Sequence, residues 1–277
     1  MIERNLVQNL EVSSWERVEY TPDEELSAVQ AKLDADTENA GLWMEKGLTL
    51  AKASLYREAG ECYAKAIALD PFNGVLYRHR GHRFLSQWRF EDACADFTLA
   101  VRLLAENDPE QWNVYYHLGL SHFLLGQYEK AAKAYQRCLE LSHTDDEIIA
   151  VCDWYYMTEL RLGDREAAEK LLENVHEDFN PGESKDYFRR LLMYKGILKP
   201  EEVLPADITT LDPLDLITMG FGLSNYYWYH GEPEKSNQVV DMILAAGDSS
   251  CYYTAFGYLA AKVDKKNRAA AAAAQKE

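Results

Sequence analysis

The chain has 277 residues, enough for one large or two ordinary domains. With 47% hydrophobic and 27% charged residues it has the make-up of a soluble globular protein, which excludes wholesale disorder. Acidic residues outnumber basic ones 46 to 29, and the net charge of −17 works against nucleic-acid backbones and anionic membranes. No apolar run reaches the roughly 20 residues of a membrane span.

In chain order, the start Met1-Ile2-Glu3-Arg4 lacks the cationic-then-apolar pattern of a secretory leader. Residues 1–20 hold Trp15 and Tyr20 and form a segment long enough to lie along a groove. Thr21-Pro22-Asp23-Glu24 reads as a helix start, with Thr21 capping and Pro22 in the first turn. The helix that follows, to Ala35, is expected to cover the apolar end of whatever comes next.

From residue 40 a pattern repeats. Trp43, Gly47, Leu50, Tyr56, Ala59, Tyr63 and Ala66 are followed, 34 positions on, by Tyr77, Gly81, Phe84, Phe90, Ala93, Phe97 and Ala100. After an insertion at Glu106-Asn107-Asp108-Pro109 a third copy reads Tyr115, Gly119, Tyr128, Ala131, Tyr135 and Cys138. Thr144-Asp145-Asp146-Glu147 is a capping box. Further turns are marked by Leu162-Gly163-Asp164 and Tyr229-His230-Gly231, and a last first-helix start by Tyr253, Phe256, Gly257 and Ala260. Unit starts fall near Ala40, Gly74, Trp112, Ile149, Gly182, Ile217 and Ser250. Lys199-Pro200 and Leu204-Pro205 shorten the second helix of the fifth unit.

A ring, then Gly, then a ring, then a small residue in this register resembles the tetratricopeptide repeat. The resemblance implies an all-α fold, a right-handed α-solenoid of antiparallel helix pairs with about six to seven units and an N-terminal capping helix. The division predicted is 1–39 for the N-terminal segment and cap, 40–263 for one solenoid, and 264–277 for a C-terminal tail. Within the solenoid, 40–145 hold three clear repeats and 146–263 degenerate ones. The resemblance also implies a concave groove lined by the first helix of each unit, and a non-catalytic role as a scaffold for a protein or peptide segment.

Candidate groove residues are Arg78, His82, Tyr116, Asp153, Arg190, Asn225, Trp228 and Tyr229. The segment Tyr77-Arg78-His79-Arg80-Gly81-His82-Arg83 concentrates three arginines and two histidines in a strongly acidic chain. Arg78 and His82 are four apart and share a helix face, suited to gripping a carboxylate or phosphate. Arg80 and Arg83 would ion-pair and hold the frame; the competing reading makes the whole cluster internal salt bridges, for instance to the helix of Glu58 and Glu61. Family members that clamp peptide carboxylates use Lys and Asn where this chain has Met44 and Leu48, so a clamp of that form is not expected. The run Tyr226-Tyr227-Trp228-Tyr229-His230 cannot bury every ring in one core, so some should face the groove or a partner.

Catalytic patterns are missing. Gly220-Phe221-Gly222 lacks a third glycine and a preceding strand, Gly119-Leu120-Ser121 lacks the closing glycine of a nucleophile elbow, and His176-Glu177-Asp178 lacks a second histidine. No catalytic residue, metal or cofactor is predicted. A small anionic ligand or an unrecognised enzyme pocket around Arg78 and His82 stands as the alternative, and self-association as a third reading. Cys62, Cys94, Cys138, Cys152 and Cys251 are widely spaced with no Cys-x-x-Cys pair, which predicts buried thiols in a reducing cytoplasm.

Overall fold

The computed structural model describes residues 3–4, 19–205 and 207–274. Helix follows helix through almost all of them. The chain divides into two compact units, 1–121 and 122–277.

In the first unit, α1 (Glu24–Ala35) packs on α2 (Ala40–Lys52) as the predicted end cap. Its N-cap is Asp23, whose carboxylate accepts from the Leu26 amide at 3.0 Å. Thr21 is not the cap, because Tyr20–Thr21 pair antiparallel with Glu3–Arg4. That pairing is two residues long, too short to leave an alternating pattern in the sequence. Trp15 lies outside the described residues. Tyr20 does not reach for a groove; it packs with Trp43 and Met44 on the cluster of Leu26, Leu50, Leu55 and Tyr63.

Helical hairpins follow: α2 with α3 (Tyr56–Leu69), then α4 (Gly74–Ser86) with α5 (Phe90–Leu103). Asn39 and Asn73 cap the two first helices, each side chain accepting a backbone amide at 3.2 Å. The repeated glycines fit beside the repeated rings. A Cβ on Gly47 would sit 2.6 Å from the Tyr63 ring and one on Gly81 3.0 Å from the Phe97 ring. Removing the side chain lets each large ring lie flat across its sister helix, and burying such a ring contributes about 1.5–3 kcal/mol. The interhelical turns pass through the left-handed region at Ser54 (φ 59°) and Trp88 (φ 61°), also 34 apart. No glycine marks them, at a cost of roughly 1–2 kcal/mol each.

Helix α6 (Glu110–Leu124) gives its last turn to the second unit, which continues with α7 (Tyr128–Glu140), α8 (Asp145–Leu162) and α9 (Arg165–Leu171). Here the turns are glycine: Gly126 at φ 71° and Gly163 at φ 82°. Thr144 and Glu147 form the predicted capping box on α8. Next come α10 (Lys185–Tyr194) and α11 (Pro200–Val203), the latter cut to one turn as the two prolines predicted. The unit ends with α12 (Pro213–Tyr229), α13 (Pro233–Asp248) and α14 (Phe256–Ala274). The predicted tail from 264 continues α14, and its first turns pack through Asp264 and Arg268. Among the described residues no helix is long and apolar enough to cross a membrane.

Candidate functional site

The first unit carries the basic segment on α4. Its helix period deals the side chains to different neighbours. Leu76, Gly81 and Leu85 are buried, Leu76 against Ala66 and Ile67 of α3 and Gly81 against Phe97 of α5. Arg80 leaves the same face and forks onto Asp96 of α5, Nε to Oδ2 at 2.7 Å and Nη2 to Oδ1 at 2.8 Å. This bidentate bond holds the guanidinium pKa above its ordinary value, against the opposing effect of burial. Arg78 sits 3.2 Å from Glu110 at the start of α6 and donates to Nδ1 of His79 at 3.1 Å. So the acidic partners are Asp96 and Glu110, downstream of the helix that carries Glu58 and Glu61.

Arg83 departs from the sequence expectation. It makes no ion pair among the described residues; its guanidinium lies over the Tyr56 ring at 4.9 Å. Burial draws its pKa down, with Tyr56 and Tyr63 opposing. Arg83 is thus the cation of this helix left without a carboxylate.

The imidazoles are held neutral. His79 stacks on Tyr63 at 5.5 Å, and burial with Arg78 and Arg83 nearby lowers it to about 4. His82 meets His117 of α6 at 4.6 Å between ring centres. Burial, with Arg83 close by, pushes His82 well below 6.5, and burial with Arg78 lowers His117 to about 3. His117 donates from Nδ1 to the Asn113 carbonyl at 2.6 Å. Tyr116 is buried against Trp112, ring centres 5.2 Å apart. His82 and Tyr116 are therefore packing groups as much as groove groups.

In the second unit the sequence-predicted groove residues separate. Asp153 and Arg190 do not line a groove: Nη2 lies 2.8 Å from Oδ2 and both side chains are 0% exposed. Arg190 passes between α8 and α12, donating to the Thr218 carbonyl and the Met157 sulfur at 3.1 Å each. The Trp154, Tyr187 and Phe221 rings surround it. Burial raises the Asp153 carboxyl to about 7, with Arg190 pulling the other way. Gly222 explains how so large a side chain fits, because a Cβ there would overlap Arg190. The Gly220-Phe221-Gly222 motif is a helix-packing device, with Gly220 facing Ile243.

Asn225 is likewise buried; it donates to the Phe221 carbonyl at 2.9 Å and accepts from Arg161 at 3.0 Å. Tyr229 is half-buried, and its carbonyl accepts from Arg165 at 2.9 Å. Trp228 keeps 37% of its surface exposed and lies under the Arg268 guanidinium at 4.0 Å. Of the aromatic run, Tyr227 is buried, Tyr226 and Tyr229 are half-buried, and Trp228 and His230 are exposed. Among the described residues, no group of three or more His, Cys, Asp or Glu is placed to hold a metal.

The tetratricopeptide repeat model matches residues 40–73 and 112–145. These two segments are tetratricopeptide repeats. Human RNA polymerase II-associated protein 3 is 33% identical over 115 residues, 42% of this chain and 17% of that protein. The Hsp70-Hsp90 organizing protein of Triticum aestivum is 35% identical over 105 residues, 38% of this chain and 17% of that protein. The similarity to these repeat proteins thus spans about a sixth of their length. Among solved structures, the APC/C hetero-tetramer Cut9-Hcn1 superposes with a TM-score of 0.53 at 16% identity, covering 91% of this chain and 47% of that one. That likeness extends the repeat fold beyond the two matched segments.

Proposed function

We propose that this protein is a non-catalytic scaffold that binds a protein or peptide segment, with an acidic group of the partner meeting Arg83 on α4. The carrying observation is the charge balance of that helix. Arg80 is committed to Asp96 and Arg78 lies against Glu110, while Arg83 has only an aromatic face beneath it. A half-buried cation without a carboxylate gains about 1.5–3 kcal/mol from a charged hydrogen bond to a ligand. The repeat family supports the role, since two relatives are named for association with RNA polymerase II and for organizing Hsp70 and Hsp90. The role rests on surfaces rather than on chemistry, because the neutral histidines beside Arg83 are occupied in ring packing. Placement in the cytoplasm is part of the same proposal, supported by five cysteines that are all free thiols.

The test is a peptide array of acidic 15-mers and scrambled controls probed with the full chain. Acidic binders should lose at least tenfold in affinity to the Arg83→Gln variant at unchanged melting temperature. The reading fails if no sequence exceeds its scrambled control, or if the variant binds equally well.

A further inference from the structure

The second unit holds a separate cavity of about 410 Å3 where α14 closes on the ends of α8 and α12. Tyr128, Arg161, Trp228, Asp264, Asn267 and Arg268 line it. Two arginines here share one carboxylate. Arg161 Nη2 donates to Asp264 Oδ2 at 2.9 Å, and Arg268 Nη2 reaches the same oxygen at 3.6 Å. The Asp264 side chain is 6% exposed and those of Arg161 and Arg268 are 12% and 16%. One negative charge against two positive ones leaves a surplus cation in a poorly solvated place. Arg161 Nε is buried and has no hydrogen-bond partner among the described residues. Leaving such a charged donor unmet costs more than leaving a neutral one unmet.

We infer that this cavity is a subsite for one carboxylate-bearing side chain flanked by an apolar residue of a bound peptide. One surplus positive charge matches one carboxylate; Arg268 already donates from Nη1 to Asn237 at 2.8 Å, and the unmet Arg161 Nε–H is the charged donor left for it. The outward-facing Trp228 and the Tyr128 ring supply apolar walls for the neighbouring residue. A phosphodiester chain fits worse, since each added negative charge would meet the −17 field without a cation of its own. The site lies on other residues than Arg83, so it stands or falls apart from the α4 reading.

Calorimetric titration of the full chain tests it, with the probe Ac-Ser-Phe-Glu-Leu-Ser-Gly-NH2, its Gln counterpart, and free succinate. The Glu peptide should bind with one-to-one stoichiometry, and the Gln peptide at least tenfold more weakly. Arg268→Gln should erase that difference, and Trp228→Ala should weaken both peptides, with helical circular dichroism kept in each variant. Should Arg268→Gln disturb the fold, Trp228→Ala still decides, because its ring is the exposed wall. Failure of the Glu peptide to bind overturns the inference. So does equal binding of both peptides, or succinate binding as tightly as the Glu peptide, which would mark a small-carboxylate site instead.

Discussion

The two units use their arginines in opposite ways. On α4 of the first unit, Arg80 is 22% exposed above a buried Asp96, while Arg83 is left over. In the second unit, Arg190 and Asp153 are sealed from water and ringed by aromatics. The first arrangement leaves charge available to a partner; the second turns charge into core. A basic residue on the inner helix of a repeat is therefore not by itself a sign of binding.

The sharpest way to break this contrast is to unpair the sealed ions. Asp153→Ala leaves the Arg190 charge buried alone and should cost roughly 3–5 kcal/mol in urea unfolding. The double replacement Asp153→Leu, Arg190→Met should recover most of that loss, because two apolar side chains need no solvation. Arg80→Met strands the buried Asp96 carboxyl but should cost less, since a stranded carboxylate can take a proton and become neutral whereas a stranded arginine cannot. Equal losses at the two places would erase the distinction.

Acid should weaken the first unit through its neutral rings. His79 takes a proton at about pH 6.5 when unfolded but only near 4 in the fold. The unfolded chain therefore binds more protons between those values, and the stabilisation present at pH 7 is lost as pH falls through that window. His79 alone accounts for about 3 kcal/mol before any discount for its partial exposure. Its Nδ1 would also stop accepting from Arg78 once protonated. Hydrogen exchange of α4 amides at pH 7 and 4.5 checks the direction, and His79→Phe should flatten the response.

The glycine beside the sealed pair gives a smaller and more selective effect. Gly222→Ala pushes a methyl into Arg190 and should cost about 1–3 kcal/mol. In an Arg190→Met background the flexible methionine yields, so the same change should cost clearly less. A double-mutant cycle reads the difference, and strict additivity would mean that the glycine serves something else.

How far this division was legible in the sequence depends on the residue type. The repeated Gly–ring pairs Gly47 with Tyr63 and Gly81 with Phe97 were readable, because a missing side chain opposite a large ring has one packing explanation. The prolines at 200 and 205 announced the one-turn α11 just as directly. The left-handed turns at Ser54 and Trp88 were not readable, since no glycine marks them. The candidate site was read less well. The helix period put Arg78, Asp153 and Arg190 on inner faces, but it does not say whether the next helix brings a carboxylate or water. The sequence predicts an ion pair for Arg83, which has none among the described residues, and a groove position for Asp153, which is in the core. The sequence places Asp264 and Arg268 in a tail, although the alanines after them, not they, are the low-complexity part.

The smallest effect on stability should come from Arg83 itself. If its charge is surplus to the fold, Arg83→Gln keeps the long side chain over Tyr56 and removes only the cation. Its loss relieves repulsion with Arg78 and the desolvation of a partly buried charge, while sacrificing a cation–π contact of about 0.5–1 kcal/mol. These terms oppose one another, so the melting temperature should move by no more than a degree or two. The variant's effect should appear instead in the affinity for acidic peptides. A large drop in melting temperature would show that Arg83 is framework, as Arg190 is, and would remove the difference between the two units.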